Sequence, residues 1–120
     1  MTDDLEKQAL AKNSRKAAAF LKTMANDKRL LVLCLLSQRE YSVRELEEEL
    51  GIRQPTLSQQ LAILREEGLV QTRRDGKSIY YVLASPEVEA VMELLYQLFC
   101  AKDAGKQGKE AKAPMVAGGS

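Results

Sequence analysis

Two cysteines, Cys34 and Cys100, are the residues of this 120-residue chain whose type could support redox chemistry. They lie 66 residues apart and form no CxxC pair, so they match neither a zinc ribbon nor a thioredoxin-type motif. The chain contains no histidine, which removes the usual Ser-His-Asp and Cys-His nucleophiles and most transition-metal sites. Cys34 stands in a leucine-rich run and suits a buried apolar role, whereas Cys100 beside Lys102 suits exposure and reactivity. The spacing leaves a structural pair and a redox-active pair equally open.

A second group of candidate residues is polar and follows a short joint around Gly51. Two helices joined in this way have the form of a helix-turn-helix, whose second helix lies in the major groove of DNA. In that second helix Leu57 and Leu61 form the inward face. Four side chains that can hydrogen-bond to bases or phosphates are left outward, with no acid among them: Gln54, Thr56, Ser58 and Gln59. An ordinary solvated helix also presents a polar face, so this pattern alone does not establish DNA binding.

Three cations surround the next turn. Arg73, Arg74 and Lys77 flank an Asp75-Gly76 pair between two β-rich runs, which is a strong signal for a tight hairpin. Such a hairpin can reach a minor groove or follow phosphates. Charged hairpins also guard against edge-to-edge strand pairing, which is the alternative explanation.

The elements that position these residues follow from caps and periodicity. A first helix is predicted over residues 5–24, and Asp27 is predicted to cap a second helix that ends at Leu36 and is buried on every side. Ser42 and Glu45 have capping-box form at the start of a third helix, which Gly51 ends. Pro55 suits the first turn of the fourth helix, which runs to about residue 67.

Strands are predicted over residues 70–74 and 77–83, and Ser85-Pro86 begins the last helix. The order α-α-α-α-β-β-α predicts a mainly α fold with a small β-hairpin (α+β), a winged helix-turn-helix. Residues 1–101 are expected to form this DNA-binding and dimerisation domain. Residues 102–120 have too little apolar content to order themselves and are predicted to be a flexible tail.

The last helix carries more apolar surface than one domain needs. Its apolar positions are Val88, Val91, Met92, Leu94, Leu95, Leu98 and Phe99. We expect the spare face, together with the amphipathic first helix, to form a homodimer. Such a dimer would read an inverted repeat with half-sites roughly 34 Å apart. The alternative is that the first and last helices pack together within one chain.

Bulk composition bounds the function. The net charge of +1 does not by itself indicate a nucleic-acid-binding protein. The charges are segregated, however: residues 40–49 hold five glutamates and one arginine, and residues 51–83 hold five cations and three anions. There is no secretory signal or membrane-length apolar run, so a cytoplasmic protein without a membrane partner is expected. The sequence suggests no cofactor, metal or catalytic residue.

Five segments of the chain carry a resemblance to known proteins: residues 21–25 (LKTMA), 28–30 (KRL) with Cys34 following, 51–61 (GIRQPTLSQQL), 64–70 (LREEGLV) and 95–100 (LYQLFC). From about residue 13 to residue 100, the sequence resembles the ArsR family of small winged-helix repressors. Within that family, it is similar to the sulfide- and persulfide-responsive branch of the BigR and SqrR type and to HlyU regulators.

The resemblance implies a repressor that releases operator DNA when reactive sulfur species join Cys34 and Cys100 by a di- or polysulfide bridge. It implies that the polar residues of the fourth helix face the major groove and that residues 73–77 form the wing. Metal sensing is not expected, because residues 43–49 contain no thiol and the chain has no histidine. Three alternatives stay open: an activator or anti-silencer of the HlyU kind, a thiol-dependent enzyme, and a winged helix that contacts only proteins.

Overall fold

Five α-helices and three short strands make up residues 3–101, the part of the chain that the structure, a computed structural model, describes. In chain order they are α1 (Asp4–Met24), α2 (Asp27–Leu36), β1 (Tyr41–Ser42), α3 (Val43–Leu50), α4 (Thr56–Glu66), β2 (Val70–Asp75), β3 (Ser78–Leu83) and α5 (Pro86–Leu95), followed by a π-helical segment (Tyr96–Ala101). The predicted winged helix-turn-helix with its hairpin after α4 is confirmed. The predicted flexible tail, residues 102–120, lies outside the described residues.

The residues of helix α1 that pack against the core lie near its C-terminal end. Its first turn is capped by Asp3, whose side chain accepts the Glu6 backbone N–H at 2.8 Å. Thr23 and Met24 at its other end are buried, whereas every residue from 4 to 19 is exposed. Helix α1 therefore does not pack along the last helix within one chain.

Helix α2 begins at a different cap from the predicted one. Asn26, in extended conformation, accepts the Arg29 backbone N–H at 3.0 Å, and Asp27 is the first helical residue. The predicted Asp27 cap is therefore wrong, although an acid in the first turn still suits the helix dipole. The expected burial on every side is also wrong, because Leu31 and Cys34 are only half-buried.

The helix-turn-helix follows its predicted signals. The Ser42 N–H donates to Glu45 Oε1 at 2.9 Å and the Glu45 N–H donates to Ser42 Oγ at 3.2 Å, which completes the capping box. The backbone bond from Ser42 is the main reason that the pKa of Glu45 lies below its usual value. Gly51 ends α3 at φ +69°, a left-handed conformation that glycine adopts without steric cost. Pro55 is the residue before α4 and not part of its first turn as predicted, and Gln54 also lies before the helix.

The β-sheet contains three strands, one more than predicted. Strand β1 pairs with β3, so the antiparallel order is β1-β3-β2. Asp75 pairs with Ser78, which makes Gly76 and Lys77 the two loop residues in place of the predicted Asp75-Gly76 pair. Gly76 has φ +66°, and a two-residue hairpin loop needs a positive φ at this position.

The core lies where α2, α3, α4 and α5 meet the inner face of the sheet. Its fully buried members include Val32, Leu33, Leu46, Leu57, Leu61, Leu64, Val88 and Met92. Ser85 caps α5 as predicted, accepting the Val88 N–H at 3.4 Å, with Pro86 at the first position. The recognition helix α4 is thus fixed by three buried leucines against a shared core.

Candidate DNA-binding surface and thiol pair

Helix α4 presents one apolar and one polar side. Its buried leucines, Leu57, Leu61 and Leu64, form the side that faces the core. The four predicted base-reading residues gather at its N-terminal end: Gln54 and Gln59 are exposed, and Thr56 and Ser58 are half-buried. Ser58 Oγ donates to Gln54 Oε1 at 2.7 Å. The two side chains therefore satisfy each other in the unbound protein, and contact with a base edge would exchange this bond for one to DNA.

The three predicted wing cations are not equivalent. Arg74 and Lys77 are exposed, and neither forms an ion pair within residues 3–101. Arg73 instead forms an ion pair with Glu40, with Nε donating to Oε1 at 2.7 Å, and its guanidinium lies 5.1 Å from the centre of the Tyr80 ring. Arg73 therefore ties the wing to the segment before β1, a contact between residues 33 positions apart that sequence spacing does not indicate.

The two cysteines lie on different elements, Cys34 near the end of α2 and Cys100 in the π-helical segment. Both are half-buried thiols, not a disulfide. Burial raises the pKa of the Cys34 thiol from 9.0 to about 11, and charge on Cys100 adds to the increase. An effect of one thiolate on the other requires them to be electrostatic neighbours. The fold thus brings both predicted redox residues to one region of the molecule.

A further arginine reaches the recognition helix and was missed by sequence reasoning. Arg29, in the first turn of α2, donates from Nη1 to Gln60 Oε1 of α4 at 2.9 Å. Its Nε donates to the Thr23 backbone carbonyl at the end of α1. The Lys28-Arg29-Leu30 segment was noted in the sequence, but nothing in its pattern indicates a partner 31 residues away.

Two kinds of site are not found among the residues that the structure describes. Within residues 3–101 no three or more cysteine or acidic side chains are grouped where they could hold a metal ion. Over the same residues, no helix combines the length and apolar character needed to span a membrane.

Comparison with known proteins places this architecture in a family. The family described as "Bacterial regulatory protein, arsR family" matches residues 26–72, which cover α2 to the start of the wing. The biofilm growth-associated repressor of Agrobacterium fabrum is 50% identical over 95 residues, 79% of this chain and 81% of the relative. The transcriptional activator HlyU of Vibrio cholerae is 50% identical over 93 residues, 78% of this chain and 86% of the relative.

Solved structures of such regulators have a similar fold. The reduced form of Vibrio cholerae HlyU superposes with a TM-score of 0.74 at 49% identity, covering 78% of this chain and 98% of that one. The transcriptional repressor BigR of Xylella fastidiosa superposes with a TM-score of 0.74 at 44% identity, covering 80% of this chain and 95% of that one. ArsR-family proteins are DNA-binding regulators and not enzymes. The chain therefore belongs to the ArsR family and is a DNA-binding transcriptional regulator of the BigR and HlyU type.

Proposed function

We propose that this protein is a homodimeric repressor that releases operator DNA when reactive sulfur species join Cys34 to Cys100. The observation that carries the proposal is the electrostatic influence of Cys100 on Cys34, two thiols far apart in sequence that act on each other in the fold. One solved HlyU structure is that of the reduced protein, which supports a role for redox state in that relative.

The chemistry assigns different roles to the two thiols. With its pKa held at about 11, Cys34 is protonated at neutral pH and a poor nucleophile, so the first attack falls to Cys100. The Cys100 thiolate attacks the outer sulfur of a persulfide R–S–SH, which releases the thiol RSH and leaves a persulfide on Cys100. Cys34 then attacks the inner sulfur, passes its proton to the departing HS⁻ and closes a disulfide. The two cysteines lose two electrons and the outer sulfur leaves as H₂S. A further persulfide that reacts before closure would leave extra sulfur in the bridge.

Two elements support a DNA complex. Gln54, Thr56, Ser58 and Gln59 supply an acid-free set of donors and acceptors for base edges. We assign Arg74 and Lys77 to phosphates or the minor groove beside the half-site. Arg73, which is paired with Glu40, would either exchange that pair for a phosphate or orient the wing.

The dimer is proposed from the apolar surface that one chain leaves uncovered. Leu10 of α1 is 62% exposed and Phe99 of the last segment is 67% exposed. One of these side chains lies on each of the two elements predicted to form the interface. Burying such a side chain fully is worth about 1.5–3 kcal/mol. We expect Leu10→Asp to reduce the mass measured by light scattering to that of one chain, with Gln8→Asp on the opposite side of α1 as the control. A wild-type monomer at micromolar concentration would contradict the proposed dimer.

The test of the switch combines binding and mass. The reduced protein is titrated onto fluorescent duplex taken from upstream of its own gene, then titrated again after glutathione persulfide, and intact masses are measured on the same samples. We expect affinity to fall about 5–150-fold, the usual range of coupling between two sites. The mass should show loss of two hydrogens, with or without added sulfur. Cys34→Ser and Cys100→Ser should bind DNA as tightly as the reduced wild type and keep that affinity after treatment. Release of DNA by either variant would refute the dithiol switch.

The alternative is a regulator that activates or relieves silencing, as the name of the 50% identical HlyU indicates for that protein. The sign of regulation depends on where the operator lies in the promoter. A reporter in a deletion strain separates the two: its expression rises if the protein represses and falls if the protein activates.

A further inference from the structure

Arg29 of α2 is hydrogen-bonded to residues of two other helices, α1 and α4. Its backbone N–H is accepted by the Asn26 cap of α2 at 3.0 Å, and its Nε donates to the Thr23 carbonyl at the end of α1. Its Nη1 donates to Gln60 Oε1 of α4 at 2.9 Å. A terminal helix carbonyl lacks an intrahelical partner, and a cation there is favoured by the helix dipole. Arg29 therefore supplies a hydrogen bond to the last turn of α1, close to the start of α2, and also contacts the recognition helix α4.

Gln60 lies on the recognition helix close to one of the proposed base-reading residues. Gln60 is half-buried and lies beside the leucine face of α4. Thr56, one of the proposed base-reading residues, lies one turn earlier on the same side of the helix, since positions four residues apart are neighbours. Among residues 3–101, the bond from Arg29 to Gln60 is the one side-chain-to-side-chain hydrogen bond that joins α4 to another element.

We propose that Arg29 is a positioning residue for DNA recognition: by holding Gln60 it sets the rotation at which the Thr56 side of α4 meets base edges. This inference rests on the proposed DNA-binding function. The planar guanidinium makes its two contacts in fixed relative directions, and a lysine ammonium cannot reproduce that fork. Two of the three guanidinium nitrogens, Nε and Nη1, have protein partners. Arg29 is therefore assigned to Gln60, and a phosphate contact through Nη2 is the result that would overturn the proposal.

The test compares selectivity with salt dependence. A duplex is selected by the wild-type protein from a randomised library, and its affinity is measured beside a scrambled duplex at several salt concentrations. Arg29→Lys and Gln60→Met should each reduce the ratio of the two affinities by about tenfold, the order of one lost base contact. The salt slope should not change, because no phosphate contact is lost. The double variant should be no worse than the weaker single variant, since both remove the same contact. Arg15→Lys, at an exposed position of α1, is the matched control.

Each outcome is decisive. An equal loss on both duplexes, with a salt slope lower by about one, would show that Arg29 contacts a phosphate and would overturn the positioning role. An unchanged ratio in both variants would overturn it as well. If circular dichroism shows that Arg29→Lys does not fold, Gln60→Met decides alone. Failure of the wild-type protein to select any duplex would instead refute the proposed DNA-binding function.

Discussion

The raised pKa of Cys34 predicts how fast this thiol reacts. Below pH 9, a thiol with a pKa of about 11 holds about 100-fold less thiolate than one at the ordinary 9.0. A more basic thiolate is a better nucleophile, with a Brønsted slope of about 0.4–0.5, which recovers about tenfold. We therefore expect Cys34 in the folded chain to be alkylated about tenfold more slowly at pH 8 than in the unfolded chain.

The assay separates this effect from simple shielding. Iodoacetamide labelling of Cys34, followed by peptide mass spectrometry between pH 7 and 12, reports the inflection pH, at which the labelling rate is half of its plateau. In the folded wild type this pH should lie near 11, and in urea near 9.0. Cys100→Ser removes the smaller of the two causes, so its inflection should fall below that of the wild type but stay above 9.0, because burial remains. Gln97→Ser, in the same π-helical segment, is the control and should leave the inflection unchanged.

Two results would refute this reasoning. A wild-type inflection near 9.0 would mean that burial does not perturb Cys34, and Cys34 could then make the first attack. An inflection that Cys100→Ser leaves unchanged would mean that the two thiols are not electrostatic neighbours, which would remove the observation on which the proposed switch depends.

Other predictions concern folding. Because the folded chain binds the Cys34 proton more tightly than the unfolded chain does, this residue's contribution to stability is complete below pH 9 and is lost as pH rises towards 11; Cys34→Ser should flatten that part of the pH profile in urea titrations. Ser42→Ala breaks the capping box and should lower the free energy of unfolding by about 1 kcal/mol, whereas Ser14→Ala on exposed α1 should change it little. Gly76→Ala meets no atom within 4 Å, so it should cost only the left-handed strain of about 1–2 kcal/mol, and Gly76→Asn should cost less. Leu46→Ala should cost about 2–5 kcal/mol, because this side chain is fully buried; a loss under 1 kcal/mol would contradict the described core.

Local signals predicted the elements well because each rests on a few neighbouring residues. The capping box of Ser42 with Glu45 and the cap of Ser85 followed by Pro86 both depend on contacts three residues apart. The cap of α2 was misplaced because Asn26 and Asp27 are adjacent and either residue type can cap a helix. Only the extended backbone of Asn26 distinguishes them, and that is a property of the fold.

Features that join distant segments could not be predicted in this way. Strand β1 has two residues, too few for an alternating pattern, and exists because β3 pairs with it. The hairpin register, one residue away from that indicated by Asp75-Gly76, follows from the pairing of the strands. The partners of Arg73 and Arg29 are 33 and 31 positions away, beyond any helical or strand spacing. The candidate residues were therefore foreseeable by type, while the contacts that orient them were not.

Helix α2 connects the two halves of the proposed mechanism. Arg29 lies in its first turn and Cys34 in its last, five residues or about 7.5 Å apart along one helix. Because this helix is short and Val32 and Leu33 are fully buried, we expect it to move as a rigid body. A bridge from Cys34 to the last helical segment would act on one end of α2, while the other end holds Gln60 of the recognition helix. Base-edge hydrogen bonds weaken steeply with angle. Even a small rotation of α2, passed to α4 through Gln60, would therefore reduce selectivity for the DNA sequence. In the proposed mechanism the thiol pair would therefore alter DNA binding without contacting DNA.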